Sequence, residues 1–135
     1  MKFIIGNEKI SSDLGFGLLP ISPNEQNGFR PYELFLSSLS GCSGNLLRII
    51  LTKKRIPYQS LELEVDAVRN QYDANRIEKI TFTALVYTEE PLSSQQVEKI
   101  AHLVVKNCGM IQSVIHSIDI TFTIQSVSLR GGSEE

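Results

Sequence analysis

The longest hydrophobic pattern in the chain has the period of a helix and begins at Pro31. Its apolar positions recur every three or four residues, at Phe35, Leu39, Cys42, Leu46 and Ile50. Proline suits the first helical turn, because the N–H that it lacks would be unpaired there anyway. The pattern continues to about Thr52 and predicts a helix of about six turns. Because its apolar stripe is wide, we expect this helix to be central and covered on most sides.

The middle of this predicted helix is unusually rich in small residues. Gly41 and Gly44 flank Cys42 and Ser43 there. Each glycine lowers helix stability by about 1 kcal/mol relative to alanine. We therefore expect a compensating role for them, either the close approach of another backbone or space for a substrate.

Alternating apolar and polar residues predict strands on both sides of this helix. After it, residues 61–67 and 80–86 alternate around a polar turn at 69–76, which indicates an antiparallel hairpin. Residues 118–124 alternate in the same way and predict a last strand. Before the helix, the apolar runs 3–5 and 14–19 predict two short strands separated by a polar turn at 11–13, and residues 20–30 predict a loop.

A second, shorter helix is predicted after Pro91, which ends the preceding strand. Ser93 and Gln96 have the spacing of a capping box at its start. A further short helical stretch follows Cys108. The predicted order along the chain is strands, a long helix, a hairpin, a helix pair and a last strand. This is an α+β order without βαβ repeats. We predict one domain over residues 1–129 and a disordered tail over 130–135.

The charge balance argues against a nucleic-acid partner. The 135 residues carry a formal net charge of −2, whereas a duplex binder normally shows a basic stripe. The densest basic cluster, 53–55, ends the long predicted helix, where cations complement its dipole. The first apolar run is too short for a signal peptide, and no stretch is expected to reach the length of a membrane span. These features predict no membrane partner and a cytoplasmic location, where thiols stay reduced.

The chain has two cysteines, Cys42 and Cys108, which lie 66 positions apart. That separation excludes a local Cys-x-x-Cys motif, so only the fold could bring them together. Three interpretations are open: two small buried hydrophobes, a metal site completed by His102 and His116, or a redox pair. The spacing of the cysteines and histidines matches no zinc pattern with two close ligand pairs, so we predict no metal.

Two segments resemble the cysteine motifs of the OsmC/Ohr family of osmotically inducible and organic-hydroperoxide-resistance proteins. Residues 28–42 read GFRPYELFLSSLSGC, with a proline, an acidic residue, apolar residues and then small residues before the cysteine. Residues 104–114 read VVKNCGMIQSV and resemble the second cysteine motif. The predicted element order is similar to that family over nearly the whole chain.

This resemblance implies an OsmC-like fold in which antiparallel sheets pack around the long helix, in an intertwined homodimer with active sites at the subunit interface. It implies thiol-dependent reduction of organic hydroperoxides, an antioxidant stress-response activity. Cys42 would attack the peroxide and become a sulfenic acid, and Cys108 would resolve it as a disulfide. A dithiol reductant would restore both thiols, with no cofactor.

The resemblance also implies supporting residues, and here the chain departs from the family pattern. Peroxidase members place an N-terminal arginine, held by a glutamate, beside the reactive thiol. This chain has no arginine before Arg30, and Tyr32 occupies the position ten before Cys42 where the glutamate commonly lies. Glu33 is nine positions before Cys42, on the opposite face of a helix, where it could instead be a first-turn acid favoured by the dipole. Many members have proline where this chain has Gly109.

Several alternatives therefore stay open at the level of sequence. Arg30 is equally consistent with a solvated loop residue and with an active-site cation, and Tyr32 with a pocket donor and with part of a dimer surface. We expect a cation beside Cys42, because a thiol in mid-helix gains little from the helix dipole. The alternative function is a non-enzymatic OsmC-like protein that binds a small apolar or thiol-reactive ligand at the dimer cleft.

Overall fold

The computed structural model describes residues 1–129 and has the predicted mixed α+β order. The predicted disordered tail, 130–135, lies outside the described residues. The chain divides into two compact units, the first spanning Met1–Ser38 and the second beginning at Leu39. The boundary falls within the long helix, so the two units share one continuous element.

The first unit contains a three-stranded antiparallel meander rather than the two strands predicted. The strands are β1 (Ile4–Ile5), β2 (Ile10–Asp13) and β3 (Leu18–Ile21), with β2 in the centre. The prediction of a turn at 11–13 and a strand at 14–19 was wrong: Ser11 pairs with both neighbouring strands, Ser12 and Asp13 pair with β3, and the turn follows them.

A buried serine explains why a polar segment forms the central strand of this sheet. Ser12 is buried, and its hydroxyl donates a hydrogen bond of 2.6 Å to the carbonyl oxygen of Lys2. A satisfied hydroxyl can be buried at little cost, so the polar side chain does not prevent pairing. Further along, Gly28 lies so close to the backbone of Pro20 and Ile21 that an added Cβ would come within 2.9 Å.

The long helix α1 spans Pro31–Lys53, as its periodicity predicted. It ends in a turn in which the N–H groups of Arg55 and Ile56 bond back to the carbonyls of Thr52 and Leu51. Arg55 has a φ of 58° there, in a position where glycine is usual. A non-glycine residue in this left-handed conformation costs about 1 kcal/mol.

Two expectations about this helix were wrong. First, no stretch was expected to reach the length of a membrane span, yet this helix is long and apolar enough, by length and composition, to cross a membrane. Its serines and glycines lower the mean hydropathy of the helix only a little. Core helices of water-soluble proteins meet the same criterion, and Leu39, Leu47 and Leu51 are buried within the protein. Second, the helix is not covered on most sides in the single chain, since only 28% of its most apolar 18 residues are buried and even Ile49 is 40% exposed.

The second unit contains a three-stranded sheet in the order β4–β5–β6. Strands β4 (Ser60–Asn70) and β5 (Arg76–Thr88) form the predicted antiparallel hairpin. Strand β6 (Asp119–Ser128) adds to β5 in parallel, so this sheet is mixed rather than antiparallel throughout as expected. The helices α2 (Ser94–Asn107) and α3 (Gly109–Val114) connect β5 to β6. The predicted capping box is confirmed at the start of α2, where Ser93 and Gln96 exchange both hydrogen bonds.

The core of this unit is formed by one face of the sheet, by α1 and by α2. Along β5 every second residue is fully buried, at Ile80, Phe82, Ala84 and Val86. The rings of Phe82 and Phe122 pack with centroids 5.7 Å apart, in the range of favourable aromatic pairs. Ile100 and Val104 place the buried face of α2 in the same core, directly before Cys108.

Candidate functional site

The two cysteines lie together in the second unit. The thiol of Cys108 donates a hydrogen bond to the sulfur of Cys42, with the Sγ atoms 3.2 Å apart, and both cysteines are free thiols. Cys108 is fully buried, whereas Cys42 is partly exposed. The pair therefore has one inner sulfur and one sulfur that solvent can reach.

Cys108 is held in place by the junction between α2 and α3. Its backbone is extended, with φ −84° and ψ 110°, so it ends α2 and begins α3. Its N–H donates to the carbonyl of Val104, and its carbonyl accepts from the N–H of Gln112, both at 2.9 Å. The Gln112 side chain also donates to the Val105 carbonyl at 2.7 Å. Backbone bonds to both helices thus fix the inner sulfur.

The surroundings separate the two thiols by acidity. The pKa of Cys42 is lowered, first by the backbone N–H of Met110, then by the donating thiol of Cys108, with a smaller contribution from the N–H of Gly109; burial opposes the shift. The pKa of Cys108 is raised, mainly by burial and also by its contact with Cys42. The outer sulfur therefore ionises first, and the inner thiol is the proton donor.

The expectation that a cation would activate Cys42 is not met within the described part of the second unit. The groups that lower its pKa there are two backbone N–H groups and a neutral thiol. Sequence reasoning missed these donors because every residue except proline carries an N–H. The available signal was Gly109, which directly follows Cys108 and supplies an N–H that proline would lack.

The small residues of α1 have two different surroundings. An added Cβ at Gly41 would meet nothing within 4 Å among the described residues, whereas one at Gly44 would meet the Leu63 side chain at 3.9 Å. The expected close approach of another backbone is therefore absent there, and Gly41 adjoins open space next to Cys42.

The serines of this part of α1 are buried. Ser43 is fully buried, and its hydroxyl donates a weak hydrogen bond of 3.4 Å to the Ser40 carbonyl. The buried Ser40 hydroxyl has no partner among residues 1–129.

The predicted supporting residues lie in the first unit. The guanidinium of Arg30 forms an ion pair of 2.7 Å with Glu33. This contact lowers the pKa of Glu33 and raises that of Arg30. Both side chains are about half exposed, and Glu33 lies in the first turn of α1. Tyr32 is the second residue of that helix and is half-buried.

The histidines do not join the cysteines. His102 is exposed on α2, and His116 is exposed in the turn after α3. Among residues 1–129 there is no group of three or more histidine, cysteine or acidic side chains placed to hold a metal ion. The arrangement in the second unit thus consists of two thiols and backbone donors.

Solved structures with the same fold include OsmC-like and organic hydroperoxide resistance proteins. A hypothetical protein from Aquifex aeolicus VF5 matches with a TM-score of 0.80 at 19% identity, over 93% of this chain and 92% of that one. An OsmC-like protein from Mycoplasma pneumoniae gives 0.76 at 16% identity, over 93% and 97%. The organic hydroperoxide resistance protein OhrB of Bacillus subtilis gives 0.65 at 17% identity, over 92% and 95%.

The sequence itself also matches a family model. A comparison with curated proteins finds no match. Residues 23–123, which include both cysteine motifs, match the model of the OsmC-like proteins. Because this match covers most of the chain and the fold agrees, the protein belongs to the OsmC-like family.

Proposed function

We propose that this protein is a thiol-dependent peroxidase that reduces organic hydroperoxides. The observation that carries the proposal is the contact between Cys42 and Cys108, whose sulfurs lie 3.2 Å apart although 66 positions separate them in sequence. Disulfide formation from that distance requires the sulfurs to approach by about 1 Å. Two buried cysteines with no chemical role have no need of such a contact.

The first step uses the outer sulfur. The Cys42 thiolate attacks the distal oxygen of the hydroperoxide, the O–O bond breaks, and the alkoxide leaves as the alcohol after taking up a proton. Cys42 is oxidised to a sulfenic acid and the hydroperoxide is reduced. Its lowered pKa supports this assignment, because the thiolate is the nucleophile.

The second step uses the inner sulfur. Cys108 attacks the Cys42 sulfenic acid, a disulfide forms and water leaves. An external dithiol then reduces the disulfide by exchange, becomes oxidised itself and restores both thiols. We assign Arg30, Tyr32 and Glu33 supporting roles in turnover, because they lie in the segment that resembles the first cysteine motif of the family. The need for reduced thiols favours a cytoplasmic location.

We also propose that the protein acts as a homodimer. The first unit leaves several apolar side chains in solvent: Ile5 is 81% exposed, and Phe16 is fully exposed. Exposed apolar residues in this number mark an interaction surface, and a second copy of the same chain is the commonest partner of a soluble protein. Light scattering on the purified chain is expected to give twice the mass of one chain.

Cysteine variants test the proposed reaction. Cys42→Ser is expected to abolish hydroperoxide consumption with a dithiol reductant. Without the reductant, Cys108→Ser is expected to reduce one hydroperoxide per chain and to leave a Cys42 sulfenic acid that a dimedone probe labels. Mass spectrometry and a peroxide assay measure both outcomes. Unchanged peroxide consumption by Cys42→Ser would overturn the proposal.

The alternative is a non-enzymatic protein that binds a small apolar or thiol-reactive ligand. It is favoured by the finding that no cation is among the groups that lower the pKa of Cys42 in the second unit. Under this alternative, the wild-type protein forms stable Cys42 adducts with electrophiles but does not consume hydroperoxides catalytically. The same peroxide assay therefore separates the two functions.

A further inference from the structure

Two adjoining cavities lie at the end of the second unit opposite the cysteines. One, of about 360 Å³, lies between the segment after α1 and the segment that connects β5 to α2; the other, of about 320 Å³, lies between the end of α1 and α2. They share Ile56 and Gln96, so together they form one groove. Lys53, the last residue of α1, is about 17 Å along the helix axis from Cys42.

The two cavities of the groove differ in the sign of their net charge. The smaller cavity is lined by Lys54 and Lys99, and within residues 1–129 neither ammonium group has an ion-pair partner. The larger cavity is lined by two acids, Glu89 and Glu90, and by one base, Arg55. The Glu89 carboxylate accepts a hydrogen bond of 3.5 Å from the Gln59 amide. The helix dipole accounts for Lys54 near the end of α1, but it does not account for Lys99 in the middle of α2.

Apolar side chains line both cavities. Ile56 lies in both of them, together with Gln96, while Ile100 lines the smaller cavity and Tyr58 and Leu92 line the larger one. A concave site with an apolar middle and a few polar groups at defined positions is typical of small-molecule binding. Its volume suits a ligand of two or three amino-acid residues.

We propose that this groove binds an elongated zwitterion with an apolar middle, the simplest being a short peptide with free termini. Its carboxylate lies between Lys54 and Lys99, and its ammonium group lies at Glu89. We expect the ligand to carry both a negative and a positive group, because a ligand with a single charge would leave the charges at the other end of the groove without a partner. This inference does not depend on the reaction proposed for the cysteines.

The test uses the tripeptide Ala-Leu-Ala and its capped forms as probes. Calorimetry with the wild-type protein is expected to detect binding of the free tripeptide at millimolar concentration. Acetylating its N-terminus or amidating its C-terminus is expected to weaken binding by about threefold each, the size of a solvent-exposed ion pair. Cys42→Ser is expected to bind the tripeptide like the wild type, which places the site away from the thiols.

Matched variants assign the two ends. Lys99→Gln is expected to reduce the effect of C-terminal amidation, and Glu89→Gln the effect of N-terminal acetylation. The controls Lys53→Gln and Glu98→Gln remove the same charges nearby, at positions that do not line the groove. Equal affinity for the free and doubly capped peptides, or no binding at about 10 mM, would overturn the proposal, as would equal effects of the controls.

Discussion

The two compact units bury their apolar side chains to very different extents. In the second unit, alternate residues of β5 are fully buried, and the core continues through Ile100 and Val104 to the sulfur of Cys108. In the first unit, apolar side chains such as Ile5 and Phe16 face solvent, and Arg30 and Glu33 form an exposed ion pair. The second unit thus has a core of its own, whereas the first leaves apolar side chains exposed, and the proposed homodimer rests on these.

The largest expected effect compares one phenylalanine from each unit. Phe82→Ala removes a fully buried ring and is expected to lower the free energy of unfolding by about 3–5 kcal/mol. Phe16→Ala removes a fully exposed ring and is expected to change it by less than about 0.5 kcal/mol in the monomer. Chemical denaturation at low protein concentration measures both. Similar losses for the two variants would contradict the difference between the units.

A smaller effect concerns the acidity of the outer sulfur. Since Cys42 has the lowered pKa and Cys108 the raised one, titration from acid is expected to ionise Cys42 first, below the ordinary range of a thiol. Cys108→Ala removes the donated hydrogen bond and is expected to move this midpoint to higher pH and to slow alkylation at pH 7 by about three- to tenfold. The thiolate absorbance and the alkylation rate report the change.

A serine at the same position is the matched control for that variant. Cys108→Ser keeps an O–H donor beside Cys42, so its Cys42 midpoint is expected to lie between those of the wild type and Cys108→Ala. If the alanine and serine variants have the same midpoint, the donated hydrogen bond is not what acidifies Cys42.

A still smaller effect is expected at Gly109. Gly109→Pro removes one N–H that lowers the pKa of Cys42, and proline is well tolerated at the first position of a helix. Alkylation of Cys42 at pH 7 is expected to slow by about two- to threefold. Gly109→Ala keeps the N–H, and its Cβ meets nothing within 4 Å among the described residues, so wild-type rates are expected. Equal rates for the proline and alanine variants would count against the backbone donor.

The smallest expected effect is at the exposed ion pair of the first unit. Arg30→Gln is expected to change the free energy of unfolding by less than about 1 kcal/mol, because a surface ion pair contributes little. Its proposed role in turnover predicts a fall of about threefold in peroxide consumption with an unchanged Cys42 midpoint. Lys2→Gln removes a cation elsewhere in the same unit and serves as the control. Unchanged turnover would reduce Arg30 to a structural role.

The elements with strong local signals could be predicted from sequence. The long helix followed from its apolar period and Pro31, and the start of α2 followed from Ser93 and Gln96. Strand β2 was missed because the hydrogen bond that allows Ser12 to be buried joins residues ten positions apart. The contact between the two sulfurs could be expected only from the family resemblance, because the cysteines lie 66 positions apart and no local motif pairs them. The backbone N–H groups that donate to Cys42 could not be predicted, because a backbone donor does not depend on the type of side chain.

The position of the two cysteines in the chain also links the redox state to thermal stability. A Cys42–Cys108 disulfide would close a loop of 66 residues, and restricting the unfolded chain over such a length stabilises a protein by about 4 kcal/mol in the chain-entropy description. The oxidised protein would therefore melt at a higher temperature than the reduced one. During each turnover the protein would pass from the less heat-resistant dithiol form to the more heat-resistant disulfide form, and the reductant would restore the dithiol form.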